Sequence, residues 1–501
     1  MMIIPHMVFL NTIIFSLFFT SSLWANKALE QATRTPAPLF EPTIFNFNTP
    51  YPSPCSDPQK KCYSIKDMVA ASLLVNYESR QAVERLFQLK ASKKMAMGSI
   101  LPHVNFNTAY NDYLQFNPVA SALDITSNLV GFLFPNRWLN WKASKMLVNA
   151  EIESMKTLYA ERALLILSTY YYLQQQIWQI RVHTHYIDQT QGLIHLLHYQ
   201  HDHGLRNVAL ADFGLLENIK GRQMYALAFI NNLTATYPII AYSMGMDYRA
   251  DWTEIAVEPS TLTPTHDIPL GLPHTYYRPA EERSTEIANI RELLKASHLN
   301  KSSNYFDIFD PNSGNDLGAG YGQRIKVAKA SIKIFEIQLA KTKAQIIVSV
   351  NNYLNNYNDA LVALHTLEEV LPSLEDIKQA VAANVNNTAE KFDIMLFARY
   401  MDAAYWGHVD YVGAFYMFKS NEAGLARQTW DGPYFQMVLD YAYNELPEVY
   451  QIVKKSHSLK FKLFNKLKRF LGILPKLKKE ASEDHLPEYP QGEGPANQAP
   501  Q

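Results

Sequence analysis

Cysteine, glycine and net charge are all in short supply in this sequence. Its 501 residues include 2 Cys and 19 Gly, and 46 Lys+Arg offset 47 Asp+Glu. So little glycine argues against a glycine-rich nucleotide-binding α/β enzyme and favours long helices. The balanced charge gives no reason to expect nucleic acid as a partner. Apolar residues make up 48% of the chain, enough for a large core divided over two or three domains.

Long apolar runs are missing beyond the first residues, so no later segment is expected to cross a bilayer as a helix. An apolar run over 7–19 is followed by small residues and Ala25. This pattern predicts an export signal peptide over 1–25, with an uncleaved membrane anchor as the alternative.

The two cysteines, Cys55 and Cys62, both lie in the part predicted to be exported. An oxidising compartment favours a disulfide between them, and two thiols without clustered histidines make a poor zinc site. They belong to a segment rich in Pro, Thr and Asn, residues 26–63, which predicts an extended strap.

Two very long helical runs dominate the rest. Residues 137–203 contain no proline, and their apolar residues advance in steps of three and four with a mean of 3.5, which is typical of a coiled-coil seam. These 67 residues would span about 100 Å as a helix. A second run over 324–387 has a similar stripe, interrupted by Pro372. Shorter helices are expected over 64–99, 209–242, 280–297 and 392–424.

Strand patterns precede each long run. Within 104–110 the side chains alternate with a period of two: Val104, Phe106, Thr108 and Tyr110 on one face, and Asn105, Asn107 and Ala109 on the other. Residues 124–135 form a second candidate strand. A weaker, shorter and more polar pair is expected at 303–309 and 316–322.

The order of elements repeats. Tyr172-Leu173 recurs as Tyr353-Leu354, and Asp212 recurs as Asp393, each 181 residues later, whereas the apolar stripes align best at 180. We therefore expect an internal duplication. The predicted divisions are a signal peptide 1–25, a strap 26–63, a first repeat 64–256, a linker 257–279, a second repeat 280–432, a C-terminal region 433–480 with a basic amphipathic helix, and a disordered tail 481–501.

Three stretches carry a family resemblance: FQLKASKKMAMGSILPHVNFNTAY (87–110), the run from NLVGFLFP into the long helix (128–173), and HGLRNVALADFGLL at the first hairpin (from 203). In their order and duplication, over about 64–430, they resemble the TolC-like outer-membrane efflux proteins, also called outer membrane factors. No single motif is strong, but the order is specific.

The resemblance implies a mainly α fold with a small β part. Duplicated coiled-coil hairpins would form a trimeric α-barrel tunnel, and four strands per protomer would contribute to a membrane β-barrel. It further implies a homotrimer without cofactors, in the outer membrane and extending into the periplasm. Such a channel passively conducts substrates delivered by an inner-membrane transporter and a periplasmic adaptor (membrane fusion) protein. The adaptor is expected to bind the hairpin tips, at Gly204, Leu205, Asp212 and Asp393.

The sequence departs from the family pattern in two places. The second tip lacks the Gly-Leu of the first, so an adaptor is expected to bind one hairpin only in the family manner. The second strand pair is short and polar, which supports an alternative: a periplasmic helical scaffold that has lost its barrel and is attached by its basic tail. An enzyme is a third and weaker hypothesis, which rests on histidines alone.

Those histidines, His195, His198, His201 and His203, crowd the end of the first long run. The HExxH arrangement of a zinc protease is absent. We interpret them as packed or solvated tip residues that suit a helix C-terminus. Metal binding and pH-sensitive opening are the other hypotheses.

Two more features stay open. Glu375 and Asp376 near the second tip would form a cation-selective gate if three copies met on an axis, whereas a solvated outer face explains them equally well. The basic amphipathic residues 454–479 either bind anionic lipid or pack on the helices.

Overall fold

The computed structural model describes residues 40–47, 55, 57–101, 133–230, 233–246, 255–262, 267, 269–307, 320–387 and 392–444. The chain divides into two units, Met1–Ala442 and Tyr443–Gln501, and the packing described below is that of the first. The elements are, in chain order, β1 (Lys61–Tyr63), α1 (Ile65–Leu74), α2 (Tyr77–Gly98), α3 (Pro135–Asp202), α4 (Leu210–Ile230), α5 (Leu233–Ser243), β2 (Ile255–Val257), α6 (His274–Arg283), α7 (Thr285–Phe306), α8 (Gly320–Ala382), α9 (Ile394–Thr429) and α10 (Pro433–Asn444).

The first long helix, α3, extends over 68 residues and confirms the helical run expected there. Pro135 occupies its first turn, where the missing N–H has no helical partner to lose. The apolar residues that set the 3.5-residue period are largely buried, Met155, Ile166 and Leu173 among them. The stripe is buried because α3 packs against α2, α4, α7 and α9.

The second long helix, α8, has 63 residues and contains Pro372. It ends at Ala382, five residues before the predicted end at 387, because the chain there enters the turns that lead to α9. A proline was expected to interrupt this run, but the helix continues through it. Pro372 is exposed, and the Glu368 carbonyl one turn earlier loses its helical N–H partner.

The shorter helices break at capping residues that the sequence pattern did not reveal. The run expected over 64–99 divides at Asn76, whose Oδ1 accepts from the Glu78 N–H at 2.9 Å. The same side chain donates from Nδ2 to the Ser243 carbonyl at 3.0 Å. Gly245 (φ +76°) makes this contact possible, because a Cβ at that position would lie 2.6 Å from the Val75 backbone.

The prediction of a second strand pair is wrong where the structure describes it. Residues 303–306, assigned to the strand 303–309, form the last turn of α7, and 320–322, assigned to the strand 316–322, begin α8. The helix continues because its end packs on the start of α3: Ser303 Oγ donates to the Asn136 carbonyl at 3.2 Å. Residues 308–319 lie outside the described part of the chain.

The extended N-terminal segment carries a disulfide of its own and is joined to the body by a strand pair. Cys55 and Cys62 form the predicted disulfide. Cys62 also belongs to β1, which pairs in parallel with β2 and places Cys62 opposite Ala256. The strand pair thus joins the predicted strap to the end of the predicted first repeat.

Among the described residues, buried apolar clusters hold the helices together at several levels. One lies near the hairpin tips, between α3, α4 and α9. A second fills the middle of the bundle between α3, α8 and α9. A third joins α6, α8 and α9. None of the described helices has an apolar stretch long enough to cross a membrane.

Several predictions lie outside the described residues. They are the signal peptide 1–25, the strand 104–110, most of the strand 124–135, the basic helix 454–479 and the tail 481–501.

Candidate functional site

The first hairpin tip is a glycine-terminated helix end. After α3, Gly204 adopts φ +65°, a conformation that side chains bearing a Cβ rarely take. Its N–H donates to the His201 carbonyl at 3.0 Å, and the Leu205 N–H donates to the Gln200 carbonyl at 2.8 Å. This pair of bonds is the Schellman motif, which satisfies the last carbonyls of the helix. Leu205 is 46% exposed, so an apolar side chain stands at the tip.

The second tip closes differently. Asp393 precedes α9 and caps it, accepting from the Leu396 N–H at 2.9 Å. Its sequence counterpart, Asp212, lies inside the first turn of α4, where its charge suits the helix N-terminus without capping it. The two aspartates therefore occupy similar but not equivalent positions.

The two tips lie side by side and are hydrogen-bonded to each other. Arg206 donates from Nη2 to the carbonyls of Asn384 (3.2 Å) and Asn387 (2.9 Å). Its guanidinium also lies 5.2 Å from the centre of the Phe392 ring. Gln200 adds a bond from Nε2 to the Val385 carbonyl at 2.8 Å. Sequence reasoning missed both residues, since a lone Arg and a lone Gln in a turn carry no distinctive pattern.

The four tip histidines are exposed and serve local contacts. His198 stacks on Phe213 with ring centres 4.2 Å apart, and His203 stacks on Tyr199 at 4.1 Å. Within the described residues, no three side chains of the metal-binding types are placed to hold an ion. The geometry agrees with the interpretation of these histidines as packed or solvated tip residues.

The structure separates the two candidate gate residues. Asp376 is exposed, but Glu375 is only 4% exposed and lies inside the protomer. Consecutive positions on a helix differ by about 100° in direction, so the bundle buries one and leaves the other on the surface. A carboxylate enclosed within the protomer does not face a passage, so Glu375 is not a gate residue.

Glu375 belongs to a buried polar network between the two hairpins. It accepts a hydrogen bond from Tyr186 Oη at 2.8 Å and pairs with Lys378 at 2.7 Å. His408 Nδ1 lies 2.7 Å from the Ala404 carbonyl, which only accepts, so this nitrogen carries the proton. Burial lowers the pKa values of Lys378 and His408 and raises that of Tyr186.

A second buried pair lies beside this network. Tyr405 Oη is 2.8 Å from His183 Nδ1, and the other ring nitrogen of His183 is buried with no partner among the described residues. Burial lowers the pKa of His183 to about 4, so the ring is neutral at pH 7.

Comparison with solved structures identifies the fold. CmeC, an outer-membrane channel of Campylobacter jejuni, aligns with 76% of this chain and 89% of its own, at a TM-score of 0.58 and 10% identity. VceC, an outer-membrane protein of Vibrio cholerae, aligns with 74% of this chain and 96% of its own, at a TM-score of 0.56 and 11% identity. The outer-membrane channel OprN aligns with 76% of this chain and 91% of its own, at a TM-score of 0.56 and 13% identity. No protein-family model and no curated protein sequence matches the chain.

This likeness confirms the TolC-like resemblance at the level of the fold. The chain has the helical architecture of the outer-membrane channels, in a divergent form. Identities of 10–13% establish the fold alone.

Proposed function

We propose that the protein is the outer-membrane channel component of a tripartite efflux or secretion system. In this role it conducts substrates passively from an inner-membrane transporter and a periplasmic adaptor to the exterior. The observation that supports it best is the pair of long hairpins, with both tips tied together at one end, in a fold shared with solved outer-membrane channels. With 68 and 63 residues, α3 and α8 reach about 100 and 95 Å.

Unpartnered apolar faces support assembly into a homotrimer. On α8, a row of exposed side chains recurs at intervals of seven or fourteen residues, at Val327, Ile334, Val348 and Val362. This is the period of a coiled-coil seam, and each of the four is more than half exposed in the single chain. A coiled-coil stripe without a partner indicates a further helix, which a second copy of the chain supplies.

A different apolar surface of the protomer is available to receive the α8 stripe of a neighbouring copy. Tyr225 and Phe229 on α4 are 67% and 71% exposed and, with Trp406 of α9, line a groove of about 750 Å³. Two unlike faces on one protomer are what a closed head-to-tail ring requires.

The hairpin tips are the proposed adaptor site. The exposed Leu205, held by the turn at Gly204, is an apolar anchor for a partner helix, and Asp212 and Asp393 start the returning helices on either side. For the gate, Asp376 remains a proposal: three copies on an axis would place three carboxylates together and favour cations.

Anchoring in outer-membrane lipid is assigned to the strand patterns 104–110 and 124–135, as far as they lie outside the described residues; they would pair with the same segments of two further copies. The alternative of a scaffold without a membrane part is not favoured, because the chain aligns with 89–96% of the length of three solved channels or outer-membrane proteins. These three similar structures are channels or outer-membrane proteins, and none of them supports an enzymatic role.

Envelope fractionation with an alkaline carbonate wash tests the proposal. A channel stays in the outer-membrane pellet with integral proteins, whereas a peripherally bound scaffold is released. Release of the native protein into the soluble fraction would overturn the channel assignment.

A further inference from the structure

Residues 40–47 run through the interface between the two hairpins and contact both. At one end, Phe40 packs edge-on against Phe397 of α9, with ring centres 6.0 Å apart. At the other, Phe47 lies 5.9 Å from Trp178 of α3 and 4.8 Å from Tyr411 of α9. From 397 to 411 the helix rises about 21 Å, a distance that eight extended residues can cover.

Hydrogen bonds fix this segment at its first residue, Phe40, and at its middle, Thr43. Asn386 holds Phe40 through both backbone groups, accepting from its N–H at 3.0 Å and donating to its carbonyl at 2.7 Å. Thr43 contacts both hairpins: Gln189 of α3 donates to its carbonyl and to its Oγ1 (2.9 Å), and Lys378 of α8 reaches the carbonyl at 3.4 Å.

Two histidines lie directly beneath the aromatic side chains of the segment. The Phe45 ring, 6% exposed, lies 5.2 Å from the ring of His185 on α3 and 5.3 Å from that of His408 on α9. Phe47 covers His408 from a second side at 5.5 Å. The segment therefore keeps water away from one titratable ring of each hairpin.

The charged groups that face these rings act in opposite directions: Lys378 disfavours a proton on either histidine and Glu375 favours it, and burial, which lowers both pKa values, is the largest influence. Lys378 on α8 is positively charged and adjoins both histidines, and Arg181 on α3 lies 5.6 Å from the Phe45 ring. The carboxylate of Glu375 on α8 is already bound to Lys378 and to Tyr186 of α3. On α9, Tyr405 and Tyr411 are bonded to His183 and to Glu368 of α8.

The hydrogen bonds of His185 couple its proton to the segment. Gln189 Nε2 lies 2.9 Å from His185 Nε2, so the ring nitrogen accepts and the ring is neutral. A proton on that nitrogen would face another donor. The amide of Gln189 can relieve this by turning its Oε1 toward the ring, since that buried oxygen has no hydrogen-bond partner in the described part of the chain. That rotation withdraws Nε2 from Thr43.

We propose that residues 40–47 are an acid-sensitive clasp, which fastens the two hairpins of one protomer at neutral pH and detaches when His185 and His408 take up protons. The clasp is a property of the single chain and holds whether or not the protein conducts substrates.

The direction of the effect follows from linkage. Burial lowers the pKa of His185 to about 4, and it also lowers that of His408, whereas an exposed histidine titrates near 6.5. The detached state thus binds more protons than the clasped state as the pH falls from 6.5 toward 4. Between pH 7.5 and 5.0, His185 alone should raise the ratio of detached to clasped molecules about 30-fold.

A nitroxide spin label at Ile44→Cys tests the clasp in the full-length protein. Ile44 is 50% exposed, and both native cysteines are held in a disulfide, so the label is site-specific. We expect an immobilised spectrum at pH 7.5 that becomes mobile on titration to pH 5.0 and reverses on return to neutrality. A label that stays immobilised down to pH 4.5 would overturn the proposal.

Matched variants separate the two histidines from general acid effects. His185→Phe with His408→Phe keeps aromatic rings without titratable nitrogens, so the label should stay immobilised at pH 5.0. His201→Phe with His203→Phe removes two exposed tip histidines and should leave the transition unchanged. If the first pair does not fold, His408→Phe alone should lower the midpoint. A midpoint equal to wild type in that variant contradicts the role of His408.

Discussion

Lys378 and Glu375 form an ion pair in a place closed to water: Nζ and Oε2 are 2.7 Å apart, and the lysine side chain has no exposed surface. Both lie on α8, one helical turn apart, and face the first hairpin. Tyr186 of α3 completes the site by donating to the same carboxylate at 2.8 Å. The pair therefore depends on both hairpins, because one supplies the charges and the other a hydrogen bond and part of the cover.

Lys378→Met should destabilise the protein by about 3–5 kcal/mol, since it leaves a buried carboxylate without its counter-charge. Adding Glu375→Leu should restore most of the lost stability, because neither member of the buried ion pair then remains. Thermal or urea unfolding followed by circular dichroism measures both effects. Lys419→Met, which breaks a pair with exposed Glu422, is the control and should cost less than about 1 kcal/mol. Equal losses at the two lysines would contradict the assigned burial.

Gly204→Val should impair adaptor-dependent efflux while leaving trimers intact. Apart from the adjoining residues, no atom of the described chain lies within 4 Å of where a Cβ would be, so the cost is conformational, about 1–2 kcal/mol at φ +65°. Gly204→Asn is the matched control, because asparagine tolerates this conformation, and it should retain most of the activity. Growth on toxic substrates in a strain without redundant channels is the measurement. Full resistance in the valine variant would count against docking at this tip.

Arg206→Ala should loosen the second tip. The variant loses two charge-assisted bonds to the carbonyls of Asn384 and Asn387, each worth about 1.5–3 kcal/mol. Amide hydrogen exchange over 383–387 should therefore become at least about tenfold faster. Arg222→Ala, which removes an exposed pair with Asp402 on the same hairpins, should leave that exchange unchanged. Equal exchange in Arg206→Ala and wild type would show that the tips are held by other contacts.

Ile334→Asp should abolish the trimer. The side chain is 61% exposed in the single chain and central to the exposed stripe of α8, so a neighbouring copy would have to bury an unpaired carboxylate. Light scattering in detergent should report protomers at concentrations where the wild type is trimeric. Ala340→Asp introduces the same charge at an exposed position about 120° around the helix from Ile334, off the stripe, and should remain trimeric. A trimeric Ile334→Asp would exclude this stripe from the interface.

Much of the architecture follows from local patterns. The 3.5-residue period of α3 and the lack of proline predict its length almost to the residue, and Gly204 marks its end. These features depend on neighbours three or four positions away, which a single sequence displays. The strand expected at 303–309 failed for the opposite reason: packing of α7 against α3 outweighed a weak local pattern.

Side-chain roles at the interface required the tertiary structure. Glu375 and Asp376 are neighbouring acidic residues that the sequence does not distinguish. One is enclosed and the other exposed, because the packing of α3 and α9 decides which face of α8 is buried. Arg206 joins carbonyls about 180 residues away, and the strap reaches Asn386 346 residues along the chain. Sequence alone determined which segments are long amphipathic helices and where they turn back. Only the folded chain decided which polar groups meet, because contacts between distant segments leave no periodic trace in one sequence.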